Sequence, residues 1–157
     1  MSPPMNKKCL VTLIALLAII AGGTYKFIFQ GSVSPGADVR TAVLLTATER
    51  NLVLEEMRTF LVSIQQITHG ISNDDMALVA QAAKKSGKAA QKAMPGSLMG
   101  KLPIEFKQLG SDTHSRFDLL ALDAESLADS DHALGQLSTL MENCVACHAS
   151  FRFEIVN

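Results

Sequence analysis

A long apolar run near the N-terminus divides this 157-residue chain into two parts. Lys7 and Lys8 precede the run, which extends from Cys9 to Phe29. A positively charged segment followed by an apolar core is an export signal, and about 20 residues can span about 30 Å of hydrocarbon as a helix. Residues 1–29 are therefore predicted to be an uncleaved transmembrane anchor or a cleaved signal sequence.

The two lysines also predict the orientation of the chain. By the positive-inside tendency, Lys7 and Lys8 stay in the cytoplasm and everything after Phe29 is exported. The nearest match to a cleavage site, Ala21-Gly22-Gly23, is only partial. We expect a domain on the periplasmic side of a bacterial inner membrane with its N-terminus in the cytoplasm, or a soluble periplasmic domain if the signal is cleaved.

The exported part has the composition of a helical domain. Its helix-forming residues are abundant, and runs of β-branched residues are scarce after residue 40. The formal net charge of −1 gives no basic face for nucleic acid, so nucleic-acid binding is not expected. Residues 30–37 contain Gly, Ser and Pro without periodicity and are predicted to be a linker, which leaves residues 38–157 as the folded domain.

Apolar periodicity predicts four helices in this domain. The first ends near Gly70 and carries a seam of residues at alternating four- and three-residue steps: Val43, Ala47, Arg50, Leu54, Met57, Leu61 and Ile64. A second stripe widens the buried face: Val53, Phe60 and Ile67. The other helices are expected at about 74–92, 104–129 and 131–152. The predicted fold is all-α, an antiparallel four-helix bundle preceded by a transmembrane or signal helix.

Two of the three cysteines belong to the motif Cys144-Val-Ala-Cys147-His148 near the C-terminus. This spacing is that of covalent c-type haem attachment, in which two thiols bond the vinyl groups and the following imidazole binds iron. On a helix the three side chains share one face. A redox dithiol is an alternative, but it lacks a βα context. Half of a zinc site is another, but no second Cys/His cluster appears.

The motif predicts one covalent haem c, with Cys144 and Cys147 as attachment points and His148 as the proximal iron ligand. Followed by Phe151 and Arg152, it resembles the C-terminal motif of class II c-type cytochromes, the cytochrome c′-like four-helix bundles. The resemblance extends over about residues 38–153, although the N-terminal anchor departs from the typical soluble member. It implies a haem-binding bundle, and a homodimer is one arrangement known among such proteins.

The resemblance also implies that the first helix supplies the group opposite His148. Low-spin members place a Met thioether there and transfer electrons, which Met57 matches. Cytochromes c′ place an apolar side chain there and bind NO or CO, which Arg50 followed by Leu54 matches. The spacing alone leaves both open, and His114 on the third helix is a further candidate.

Two arginines are candidates for contact with the haem propionates. Arg152 can pair with a propionate or remain solvated. Arg50 lies on the predicted seam, where a guanidinium needs an anionic partner. A propionate fits this requirement, as does Glu55 or Glu56 of a neighbouring molecule.

These features together predict an electron carrier rather than an enzyme, since no nucleophile and base are found in a recognisable pattern. The expected function is one-electron transfer by a membrane-tethered periplasmic cytochrome between membrane-linked donors and periplasmic acceptor proteins. A five-coordinate gas-binding cytochrome c′ is the first alternative. A tethered subunit of a larger respiratory or photosynthetic complex is the second.

Overall fold

The computed structural model describes residues 6–91 and 94–156, and these residues are mostly helical. The helices in the described ranges are α1 (Lys7–Thr24), α2 (Ala47–Ser72), α3 (Met76–Lys84), α4 (Lys88–Gln91), α5 (Gly96–Met99), α6 (Ile104–Ser126) and α7 (Ser130–Ser150). A π-helical segment, Tyr25–Gln30, continues α1. Three short strands accompany the helices: β1 (Val33–Pro35), β2 (Thr41–Leu45) and β3 (Phe151–Ile155).

The predicted N-terminal apolar helix is present. Helix α1 and the π-helical segment together run from Lys7 to Gln30, 24 residues that are long and apolar enough to cross a membrane. The side chain of Asn6 caps the helix by accepting a hydrogen bond from the amide of Lys8 at 3.2 Å. The apolar side chains of this helix are exposed, as they are in a membrane span; a signal sequence has the same length and composition.

The four longer helices of the domain pack around a common core. Helices α2 and α6 each pack against both α3 and α7. The larger apolar core between them includes Phe60, Ile67, Val79, Phe117, Leu120, Leu137 and Leu140. A smaller second core lies beside the sheet and contains Val43, Leu45, Val53, Leu98, Leu102 and Phe106.

The face of α2 that packs against the core differs from the one that the sequence predicts. Val53, Phe60 and Ile67 are buried, whereas Leu61 is 67% exposed. The predicted second stripe is therefore the buried face, and the predicted seam runs along its edge. Gly70 lies on the same buried face and lets α3 approach closely.

Several predicted helix boundaries also differ from the structure, among them the end of α6 at Ser126, three residues before the predicted end at 129. Helix α2 begins at Ala47 because Thr46 and Glu49 form a capping box, with the Glu49 carboxylate accepting from the Thr46 amide at 2.9 Å. The helix predicted at 74–92 is interrupted after Lys84, and its predicted end at Lys92 lies outside the described residues. The last helix ends two residues earlier than predicted, at Ser150.

A small sheet corrects the all-α prediction. Strand β2 is its centre, antiparallel to β1 with Val33 opposite Val43, and parallel to β3 with Ala42 opposite Arg152. The residues after position 150 continue as a strand because β2 offers a free edge to a segment of alternating aromatic and polar residues. Part of the predicted linker, residues 30–37, is β1 and is therefore held in the sheet.

A buried polar cluster joins α2, α6 and the turn after α3. His114 is 2% exposed. Its Nδ1 lies 2.8 Å from the carbonyl oxygen of Ser86 and its Nε2 lies 3.3 Å from a carboxylate oxygen of Glu56. Both ring nitrogens face acceptors, and only the imidazolium can donate to both. Burial lowers the pKa of His114, but the Glu56 carboxylate and the Ser86 carbonyl outweigh that effect and raise the pKa above its ordinary value.

The raised pKa predicts that the domain loses stability as the pH rises. The contribution of protonated His114 is fully present below the unfolded-state pKa of about 6.5, and it is lost as the pH rises through the higher folded-state pKa. We expect the free energy of unfolding, measured with urea, to fall as the pH rises above about 6.5. In His114→Gln, the free energy of unfolding should depend less steeply on pH. His69→Gln, which removes an exposed histidine, is the control and should keep the wild-type slope. An unchanged slope in His114→Gln would contradict the charged pair.

Two glycine substitutions test the packing of α2 on α3. A methyl group at Gly70 would lie 2.7 Å from Cγ2 of Val79 and 2.9 Å from the carbonyl oxygen of Asp75, so Gly70→Ala should destabilise the domain by about 1–3 kcal/mol. Gly110 lies inside α6 with nothing within 4 Å of an added Cβ, so Gly110→Ala should stabilise by about 0.5–1 kcal/mol. Denaturant unfolding measures both, and equal stabilisation by both would refute the close approach.

Candidate haem site

A cavity of about 260 Å³ lies where the start of α2, the end of α7 and strand β3 meet. Its lining contains six of the seven predicted site residues: Arg50, Leu54 and Met57 from α2, Cys147 and His148 from α7, and Arg152 from β3. Arg40, Phe106, Phe151 and Phe153 complete the lining. The structure therefore brings the cysteine motif and the predicted distal residues to one place.

The cysteine motif lies on the last two turns of α7. Cys144 packs against the larger core and Cys147 against the smaller one. The two residues are three apart and therefore lie on the same face of the helix. His148 follows at the edge of the cavity and is exposed. The helix ends two residues later, and the extended Phe151 donates its amide hydrogen bond to the carbonyl of Cys147.

Both cysteines of the motif are free thiols in a half-buried environment. Burial raises the pKa of Cys144 above its ordinary value. Burial also raises the pKa of Cys147, to about 11, and the nearby Cys144 adds to this effect. Redox-active dithiols need the opposite shift, toward a stable thiolate.

Three aromatic rings form one wall of the cavity. The ring of Phe106 packs edge-on against Phe151, with centroids 5.4 Å apart, and lies 6.0 Å from the ring of Phe153. Sequence analysis did not find Phe153. The sequence does contain a signal for Phe153, because apolar and polar residues alternate in residues 151–155. In a strand this alternation places the side chains of Phe151 and Phe153 on the same face. The wall gives the cavity an apolar surface beside the cysteine motif.

Three guanidinium groups surround this apolar surface. Arg40, which sequence analysis also missed, lies 2.7 Å from a carboxylate oxygen of Asp38, and its hydrogen bonds lower the pKa of Asp38 to about 2. Arg152 lies 3.8 Å from Asp38 and 3.6 Å from Glu154. Arg50 is half-buried, and in the described parts of the chain no carboxylate lies within ion-pair distance of it. Arg50 is therefore the cation best placed to bind an anion from outside the chain.

The distal candidates differ in where they lie. Leu54 and Met57 both line the cavity, one helical turn apart, and Met57 contacts both apolar cores. His114 is outside the cavity lining, and both of its ring nitrogens face Ser86 and Glu56. The structure thus brings Leu54 and Met57, but not His114, to the cysteine motif.

The donor set around the cavity fits a c-type haem. Such a group needs two thiols on one helix face, an imidazole, apolar walls for the macrocycle and cations for its propionates. The cavity lining supplies the thiol of Cys147, the imidazole of His148, the aromatic wall and the arginines, and Cys144 lies three residues before Cys147 on α7, outside the lining. In residues 6–91 and 94–156, the cavity included, no group of three or more His, Cys, Asp or Glu side chains comes together to hold a metal ion; a haem iron requires only one or two protein ligands.

Known proteins give no independent indication of the function. Comparisons with protein-family models, characterised proteins and solved structures find no match to this chain. The functional proposal therefore rests on the residues around the cavity.

Proposed function

We propose that this chain is a monohaem c-type cytochrome that transfers single electrons, anchored in the membrane by α1 and related in fold to the class II four-helix bundles. The observation that carries the proposal is the cavity in which Leu54 and Met57 of α2 and the Cys147-His148 pair of α7 line the same space. These residues are about 90 positions apart in sequence, and they meet at the place where a haem-attachment motif needs a distal partner.

Each residue around the cavity has a defined role in this proposal. The thiols of Cys144 and Cys147 would hold the haem through two thioethers, each formed by addition of one S–H across one vinyl group. His148 would bind the iron through its imidazole and Met57 through its thioether. The bound haem supplies reversible one-electron chemistry between Fe(II) and Fe(III).

The surrounding residues favour electron transfer in two further ways. The rings of Phe106, Phe151 and Phe153 exclude water from one side of the cavity, which lowers the solvent reorganisation that accompanies a change of charge. Arg50 neutralises a propionate, so that this carboxylate is not left unpaired beside an apolar wall.

Helix α1 supports a membrane location for this cytochrome. Its 24 residues with the π-helical segment are exposed and apolar, and Tyr25 and Lys26 near the end suit the membrane interface. With Lys7 and Lys8 in the cytoplasm, the domain lies on the periplasmic side, where bacteria attach c-type haem. The partners of the protein are membrane-linked electron donors and periplasmic redox proteins.

A gas-binding cytochrome is the second candidate, because Leu54 lines the same cavity as Met57. If Leu54 rather than Met57 faces the iron, the sixth position is open to NO or CO. The two functions share the attachment site and differ in one side chain, which makes them separable by experiment.

Covalent attachment is tested by substituting the cysteines one at a time. Cys144→Ser and Cys147→Ser should each lose one thioether, and the double variant should retain no haem after denaturing electrophoresis, as measured by haem-dependent peroxidase staining. Cys9→Ser is the matched control, since Cys9 lies in α1 and is exposed there. Wild-type protein without covalent haem, expressed with the bacterial haem-attachment machinery, would refute the proposal.

The distal ligand is tested by Met57→Ala with Leu54→Ala as its control. In an electron-transfer cytochrome, Met57→Ala should convert the ferric haem from low to high spin and create CO binding, because the thioether is lost. Leu54→Ala should leave the protein low-spin. If instead wild type is already high-spin and binds CO, and Met57→Ala leaves the spectrum nearly unchanged, the gas-binding function replaces electron transfer.

A further inference from the structure

The segment that joins α1 to the domain forms backbone hydrogen bonds at two successive residues, Gly31 and Ser32. The amide of Gly31 donates to the carbonyl of Lys26 at 3.0 Å, and the amide of Ser32 donates to the carbonyl of Lys101 at 2.7 Å. The carbonyl of Ser32 accepts from the amide of Leu44 in β2 at 2.8 Å. The connection is therefore tied both to the chain before α6 and to the sheet.

Gly31 makes this connection sterically specific. Its φ is +68°, in the left-handed region that favours glycine. An added Cβ would lie 2.7 Å from the carbonyl carbon of Leu102 and 2.7 Å from the nitrogen of Pro103, and closer still to the carbonyl oxygen of Lys101. These neighbours are backbone atoms, which cannot move aside as a flexible side chain can. Gly31 thus allows two stretches of backbone to touch.

Lys107 of α6 fastens the end of the apolar helix from a second direction. Its Nζ donates to the carbonyl oxygens of Phe27 and Ile28, each at 3.1 Å. Carbonyls at a helix C-terminus lack partners within the helix, and a cation there also interacts favourably with the helix dipole. The ammonium group therefore bonds the helix end to the domain across about 80 positions of sequence.

The connection between the apolar helix and the domain lies next to the candidate haem cavity. Phe151 lines that cavity and also a cleft formed with Tyr25 and Phe29 at the end of the apolar helix. Ser150, two residues after His148, lines the same cleft. The cavity and the helix end thus share one aromatic side chain as a wall.

We propose that residues 25–36 form a rigid joint that fixes the orientation of the domain, and with it the candidate haem cavity, relative to the membrane. The joint rests on the proposed membrane anchorage and haem attachment and goes beyond them. A fixed domain loses little rotational freedom when it docks to a partner that is itself held in the membrane. The joint therefore fits electron exchange with a redox protein in the same bilayer, in one defined orientation, rather than capture of diffusing partners by a swinging tether.

The orientation is tested on the full chain in stacked, oriented bilayers. The paramagnetic resonance spectrum of the ferric haem should change as the sample is turned in the magnetic field, because every haem makes the same angle with the membrane. Gly31→Ala should abolish or strongly reduce this angular dependence. Gly110→Ala, the same substitution where an added methyl group meets nothing within 4 Å, should preserve it. A wild-type spectrum independent of angle would overturn the joint.

A second measurement does not depend on haem. Amide hydrogen exchange of the full chain in bilayer discs should show slow exchange at Ser32 and Leu44, and about tenfold or faster exchange there in Gly31→Ala. Lys107→Met, which keeps the apolar stem, should give a smaller increase, and circular dichroism should confirm that both variants stay helical. Equal exchange in wild type and Gly31→Ala would overturn the joint whether or not haem is bound.

The two measurements separate the joint from the proposed function. If the chain lacks covalent haem but the amides of Ser32 and Leu44 are protected and released by Gly31→Ala, the cytochrome function fails and the joint stands. If haem is present but its spectrum is independent of angle, the function stands and the joint fails.

Discussion

The parallel pairing of β2 with β3 is the constraint on which the candidate site depends. Strand β2 ends at Leu45, two residues before α2 begins, and β3 begins at Phe151, directly after α7 ends. The register sets Thr41 opposite Phe151 and Leu45 opposite Ile155, so the pairing holds the segment before α2 beside the segment after α7, and the packing of α2 on α7 completes the approach of the two helices. Leu54 and the cysteine motif meet because the strands outside the two helices are hydrogen-bonded, in addition to the packing between the helices themselves.

The motif also lies at the boundary between two apolar cores. Cys144 contacts the larger core among the helices, and Cys147 contacts the smaller core beside the sheet. Met57 touches both cores from α2. Because a packed interior resists displacement, side chains held from two sides keep a defined position. The distal candidate and the attachment residues are therefore positioned by the same packing, which suits a site that must keep its geometry when its charge changes.

Local patterns in the sequence predicted the apolar helix and the start of α6 at Ile104, and six of the seven candidate site residues line one cavity. They failed where the structure depends on distant pairing. The spacing of Val43 fits a helical seam. In the structure, Val43 lies in strand β2, which pairs with β3, a segment about 110 residues further along the chain. The same reason applies to Arg40, which comes near Arg152 and the cavity only once β2 and β3 have paired. The start of α2 is a different case, because Thr46 and Glu49 have the spacing of a capping box, a local pattern that indicates a helix beginning at Ala47.

The arrangement of charge around the cavity follows from the same sheet. Arg40 pairs with Asp38, and Arg152 lies near both Asp38 and Glu154, so two carboxylates of the chain balance two of the three guanidinium groups. Arg50 comes from α2, outside the sheet, and has no such partner among the described residues. A group with an apolar body and a carboxylate edge would match this arrangement, with its body against the aromatic wall and one carboxylate paired with Arg50. The sheet therefore forms part of the cavity wall, and Arg50, which among the three cavity arginines has no carboxylate at ion-pair distance in the described residues, marks the side on which an anionic edge would lie.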